Sequence, residues 1–354
     1  MTRHQIRVGL FVACVACACG EVEPGDSPAV SRAPEAGEPF FTNLRQLTFE
    51  GQNAEAYFSS DGTRLIFQRT GPEESCDQQY TINLDGSGMR RVSNGLGRTT
   101  CGYYYERDER ILYSSTFHAG ETCPPDPDRS QGYVWPLNDF DIYTSLPDGT
   151  GLERLTTEVG YDAEATLSPD GETIVFTSTR DGDLDIYTMN VDGTNVRRLT
   201  SAFGYDGGPF FSPDGSKIVY RSSHPETAEE REDYAAMLAR NLVRPSAMEI
   251  WVMNADGSEQ RQTTDLGGAN FAPFFHPDGE RIIFASNHQD SSGRNFDLFM
   301  IGLDGSGLVQ VTTHGEFDGF PMFSPDGSKL VFASNRYGAD QGDTNIFVAD
   351  WVER

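Results

Sequence analysis

The sequence predicts an all-β chain folded as a six-bladed β-propeller of four-stranded antiparallel blades, closed by an N-terminal strand that joins the last blade. Three observations predict it: a four-strand unit that recurs along the chain, two turn signatures inside each unit, and one unit split between the two chain ends.

The unit is clearest in residues 161–200, YDAEATLSPDGETIVFTSTRDGDLDIYTMNVDGTNVRRLT. Short β-type runs cover 163–167, 173–178, 185–190 and 197–199, separated by Pro-Asp-Gly and Asp-Gly. Both are tight-turn signals, because Gly accepts positive φ and Asp bonds its own backbone. The first turn recurs at Asp61, Asp170, Asp214, Asp278 and Asp326, with ERDER at 106–110 as a degenerate copy. The second recurs at Asp85, Asp148, Asp192, Asp256 and Asp304, at spacings of 63, 44, 64 and 48 residues. The final unit stops after its third strand, TNIFVADWVER, and the missing fourth stands at the start as NLRQLT (43–48), the counterpart of VRRLT (196–200). Pairing the two would close the ring and leave no open edge.

Ahead of the propeller, assigned to 41–354, residues 1–19 form a lipoprotein-type signal peptide. Arg3 and Arg7 precede the short apolar run 8–18, and small residues lead into cysteine. Cys19, or Cys17, is the expected lipidation site. Residues 20–40 are rich in Pro, Glu, Ala and Ser and read as a flexible tether. The expected location is a bacterial cell envelope, periplasm-facing or on the outer surface, with the membrane reached through the lipid anchor only. The expected state is a monomer. A net charge of −27, from 54 acidic and 27 basic residues, argues against nucleic acid. It leaves an envelope protein or glycan as partner.

Candidate site residues lie on the face opposite the Asp-Gly turns, where every irregular connection falls. Aligned on the turn, Asn53, Asp162, Asp206, Asn270 and Asp318, with Thr99 or Thr100, begin the inner strands and are expected to ring the channel mouth. Carboxylates about 8 Å apart repel by about 2 kcal/mol per pair at an effective dielectric near 20. A Ca²⁺ ion held by Asp162, Asp206 and Asp318 would relieve that; simple strand capping is the alternative. A second series, Arg180, His224, His288 and Arg336, with His118 one place displaced, follows each second strand. It either pairs locally with Asp185, Glu249, Asp297 and Asn345 or, through His118, His224 and His288, supplies catalytic or metal-binding groups.

Two insertions interrupt the repeat. Residues 118–138 carry three prolines with Tyr133 and Trp135, which could stack on a sugar or grip a peptide. Residues 223–248 predict a helix capped at Ser223 or Thr227, with Tyr234, Met237, Leu238 and Leu242 on one stripe. Of the three cysteines beyond the signal, Cys101 is expected to pair with Cys123 or Cys76.

The segments FSPDGSKIVY and IWVMNADG, and LSPDG through VRRLT, resemble the TolB-like six-bladed propeller repeat over residues 43–350. The resemblance covers the propeller only, without the α/β domain that TolB carries ahead of it. It implies the fold; the function expected first is an envelope binding or scaffold module, with a metal-dependent, lyase-like carbohydrate-active enzyme sited at the channel mouth as the alternative and a gate for a separate envelope enzyme as the third. The peptidase relatives need a Gly-x-Ser-x-Gly elbow, which the chain lacks.

Overall fold

The computed structural model describes residues 27–130, 132–340 and 342–354. The signal peptide and the lipidation cysteines Cys17 and Cys19 lie outside the described residues. Six antiparallel blades stand in a ring. Their inner strands are Gln52–Phe58, Thr99–Tyr105, Asp162–Leu167, Tyr205–Phe211, Asn270–Phe275 and Asp318–Phe323. The last blade takes Phe41–Gln46 as its outer strand against Asn345–Trp351, so the two ends of the chain close the ring.

Apolar faces of the middle strands fill the wedges between blades: Leu112 and Ile142 of blade 2, for example, pack on Ile174 and Phe176 of blade 3. Full burial of such a side chain contributes about 1.5–3 kcal/mol. The blades are also tied by backbone. The first N–H of each inner strand region donates to the residue ahead of the third strand in the preceding blade, as in Asp162 to Phe140, Asp206 to Leu184 and Thr99 to Asp77. Asn53 to Thr344 closes the circle at 2.9 Å.

Two expectations need correction. The tether does not extend to residue 40: Val30–Ser31 adds a further strand outside Phe41–Gln46, and Glu38 is buried against Arg336 at 2.9 Å. The segment lacks large apolar side chains, but an edge strand and a charged pair dock it without them. The disulfide joins Cys76 to Cys123, and Cys101 is a buried free thiol. Cys101 stands inside an inner strand and points into the channel, whereas Cys76 and Cys123 sit on neighbouring loops with Cα atoms 6.0 Å apart.

Helix α1, Ala228–Leu238, is capped by Thr227 with Glu230 completing the capping box. Its Tyr234 and Leu238 pack with Val243 and Met248 onto Leu184 and Tyr205 of the propeller. The two insertions pair with each other, Trp135–Pro136 against Leu242–Val243. Together they form a strap across the irregular face. Among the described residues no helix is long and apolar enough to cross a membrane.

Candidate functional site

The predicted channel-mouth ring turns out to be a set of buried staples. Asn53, Thr99, Asp162, Asp206, Asn270 and Asp318 are all buried. Each is engaged inside its own blade or with the preceding one, and the two predicted series find each other. Arg180 donates to Asp162 at 2.9 Å and Arg336 to Asp318 at 2.7 Å. His224 Nε2 meets Asp206 Oδ1 at 3.1 Å. In blade 5 Ser286 bridges, donating to Asn270 at 2.6 Å while contacting His288 Nδ1 at 2.8 Å. Asn53 accepts from Arg69 at 2.8 Å. Blade 2 begins with Thr99 instead of a carboxylate, so His118 turns to Asp141 of the third strand, at 3.0 Å. His118–Asp141 was not among the expected local pairings, and Asp185, which was, is taken by Arg198 instead.

The third-strand polar groups belong to a second staple. Thr156, Thr200, Thr264 and Thr48 donate to Asp141, Asp185, Glu249 and Asn345. The same hydroxyls accept from the backbone N–H of Ile142, Ile186, Ile250 and Ile346.

Asp162, Asp206 and Asp318 are each paired inside their own blade. Among the described residues no group of three or more His, Cys, Asp or Glu side chains suits a metal. The histidines stand in blades 2, 4 and 5, each beside a different group, His118 at Asp141, His224 at Asp206 and His288 at Ser286. For His224, burial is outweighed by the Asp206 hydrogen bond and charge, so its pKa is raised, whereas burial lowers that of His288.

A different ring faces the channel. Two residues into each inner strand the ladder slips at a β-bulge, between Ala54 and Tyr57 in blade 1 and at the equivalent place in every blade. The bulged residues Glu55, Cys101, Glu164, Gly208, Ala272 and Phe320 all have positive φ, and together they line the narrow waist of the channel. The signal for them was available as the residue two places after each Asn, Asp or Thr.

Only Gly208 is a glycine, and it is needed there. A Cβ would lie 2.2 Å from Nη1 of Arg221, which reaches across from the second strand of blade 4. Arg221 ion-pairs with Glu164 and lies over the rings of Trp135 and Tyr205, at 5.1 and 5.5 Å. Glu164 also accepts from Thr177 and the Gly208 N–H, each at 2.8 Å. Glu55 has no such set. Its Oε2 is shut off from solvent without a hydrogen-bond partner. Burial, opposed by the Cys101 thiol hydrogen bond, pushes its pKa up to about 7. Burial, with Glu55 and Glu164 adding, raises the Cys101 thiol well above its ordinary range, so it stays protonated.

Above the waist the channel widens into a chamber of about 290 Å³ bordered by Glu55, Cys101, Tyr161 and Arg221. It opens into a cleft of about 1110 Å³ between the strap and the loops of blades 5 and 6. Tyr133, Trp135, Phe271, Phe296, Phe317 and Phe320 give the cleft its aromatic surface, and His288 lies on its edge. Trp135 is partly spent on Arg221, while Tyr133 is 62% exposed. The Cys76–Cys123 bond fastens the base of the blade 2 insertion to blade 1.

Comparison with known proteins agrees with this architecture. The TolB beta propeller domain model matches residues 136–231 and 243–350. No curated protein matches the sequence. Among solved structures, putative TolB from Agrobacterium tumefaciens is similar at 20% identity and a TM-score of 0.57, over 86% of this chain and 91% of that one. TolB from Acinetobacter baumannii is similar at 18% and 0.55, over 86% and 65%. An oligogalacturonate lyase in complex with manganese is similar at 16% and 0.53, over 92% and 97%. These likenesses concern the fold. With the family model covering more than half of the chain and the same blade repeating around the ring, the protein belongs to the TolB β-propeller domain family.

Proposed function

We propose that this protein is an exported cell-envelope module, held by a lipid on Cys19 or Cys17, that binds a polypeptide segment of an envelope protein in the aromatic cleft over the channel. The observation that carries the reading is the cleft itself, concave, aromatic and topped by the exposed ring of Tyr133. A rigid ring with a strap across one face favours binding of a partner. The charge of −27 favours one that presents basic groups.

The test is a photo-crosslinking amino acid placed at Tyr133 in the cell, with a control at Asp192 on the opposite face. A peptide adduct at 133 and none at 192 is the expected result. Equal labelling at both sites, or a glycan adduct at 133, would overturn the reading. Mass analysis of detergent-extracted protein checks the anchor: a diacyl or triacyl cysteine is expected, and an unmodified mature chain refutes it.

A further inference from the structure

Resting on the cleft reading and deepening it, we infer that the chamber beneath the cleft receives a guanidinium or ammonium group of the ligand against Glu55. Two glutamates occupy bulge positions, in blades 1 and 3, and the molecule treats them differently. Glu164 is answered by Arg221, the fifth residue of the second strand in the next blade. The position that would answer Glu55 in the same way is the fifth residue of Arg110–Ser115, which is Ser114. Ser114 is too short to reach as Arg221 does, and its buried hydroxyl has no partner. The neighbouring bulge residue, Cys101, is also not the glycine that makes room for Arg221. One carboxylate has its internal guanidinium; the other lacks it.

The other atoms left over along the chamber, Arg98 Nε, Asn138 Nδ2 and Arg221 Nε, are all donors. Asp77 accepts from Thr70 at 2.7 Å and faces Arg98 at 3.9 Å. Arg129 lies over the ring of Tyr133, at 5.2 Å. Buried carboxylates are ordinarily paired, so Glu55 Oε2 is the acceptor left over. Tyr161, Phe271 and Phe320 border the same chamber with π-faces, the setting in which Arg221 already sits between Trp135 and Tyr205. The charged and titratable groups facing Glu55 are Cys101, Glu164, Arg221 and Asp77, with Tyr57 alongside. Arg98 and Arg129 border the chamber as well, so an incoming cation meets one unpartnered carboxylate oxygen, Glu55 Oε2, and no net charge.

Calorimetric titration of the purified protein with agmatine and with the capped peptide acetyl-Gly-Arg-Gly-amide tests this. Saturable binding is expected, at least tenfold weaker in Glu55→Gln and undetectable with the citrulline peptide. Tighter binding of agmatine assigns the site to a free polyamine, and tighter binding of the peptide to a partner's side chain. Affinity should also rise between pH 6 and pH 8 as Glu55 ionises. Glu55→Gly, which borrows the residue of blade 4, is a second variant compatible with the backbone, and melting curves confirm folding. Cys101→Gly with Ser114→Arg should supply the missing guanidinium internally and abolish binding. No heat with either cation, or equal affinity in Glu55→Gln, would overturn the inference. Crosslinking at Tyr133 that persists in Glu55→Gln would then leave the cleft reading standing by itself.

Discussion

The inner strands carry two rings of residues only two positions apart. Asn53, Thr99, Asp162, Asp206, Asn270 and Asp318 are polar in every blade and buried in all six. Glu55, Cys101, Glu164, Gly208, Ala272 and Phe320 share one backbone conformation but, apart from the two glutamates, no side-chain chemistry. The first ring does the same task six times, tying the start of a strand to the blade before it and to the strand beside it. In a closed array each unit meets its neighbours alike, and the same side chains serve everywhere. The second ring projects into one shared space, where six identical groups would crowd or repel. Repetition here marks what holds the ring, and variation marks what faces the channel.

The largest expected effect comes from breaking the first ring at its most buried charge. Arg336 serves both Asp318 and Glu38, and the side chains of all three are 1% exposed or less. Arg336→Met strands two carboxylates and should destabilise the protein by about 3–5 kcal/mol in denaturant titration. Arg180→Met, with a single partner and more solvent around it, should cost less than half as much. Equal losses at both positions would mean that docking of the N-terminal segment contributes nothing.

Next in size is the fastening of the strap. Replacing Cys76 and Cys123 by Ser opens a link across 47 positions and should cost about 2–4 kcal/mol. The ring staples are untouched by this change. Hydrogen exchange should therefore rise in residues 118–138 while the inner strands stay protected; uniform deprotection would show that strap and ring unfold as one unit.

Asp297 gives a smaller, pH-dependent effect. Burial, with Asp318 nearby, pushes its pKa from 3.8 to about 7, and amides and a hydroxyl are its partners. The folded protein thus keeps a proton up to about pH 7 that the unfolded chain releases near pH 4. Stability falls as pH rises through that window and is level above it. Asp297→Asn, the residue blade 6 uses as Asn345, should gain on the order of 1–3 kcal/mol at pH 8 and nothing at pH 3. Melting temperatures of the two proteins at both pH values decide it.

The propeller was legible because its turns are written in side chains. Asp170, Asp214 and Asp326 each accept from the Ser two places earlier at 2.6 Å, so the Ser-Pro-Asp-Gly phrase and its geometry coincide. The two site series were legible as series, but their mutual pairing was not. Strict alternation places residues i and i+2 of a strand on one face, whereas the bulge rotates Glu55 and Cys101 away from Asn53 and Thr99 into the channel. The docked N-terminal edge was hidden for another reason. Glu38 and Arg32 hold it through charge and hydrogen bonds, at Arg336 and Gln46, and no apolar pattern announces such contacts.

The smallest effect probes the second ring's backbone. Ala272 sits at φ 49, a conformation that costs an L-residue about 1–2 kcal/mol. Glycine is free of that strain but loses about 0.5–1 kcal/mol more entropy on folding. Ala272→Gly should therefore stabilise the protein by less than about 1 kcal/mol. Glu55→Gly at pH 8 relieves the same strain, at φ 51, and also removes a carboxylate whose Oε2 has no hydrogen-bond partner in the chain. The difference between the two gains isolates the cost of holding Glu55 ionised. A difference near zero would mean that water satisfies Glu55 as well as any ligand could. A difference of about 1–3 kcal/mol is the expected result, and it is the free energy an incoming cation can recover.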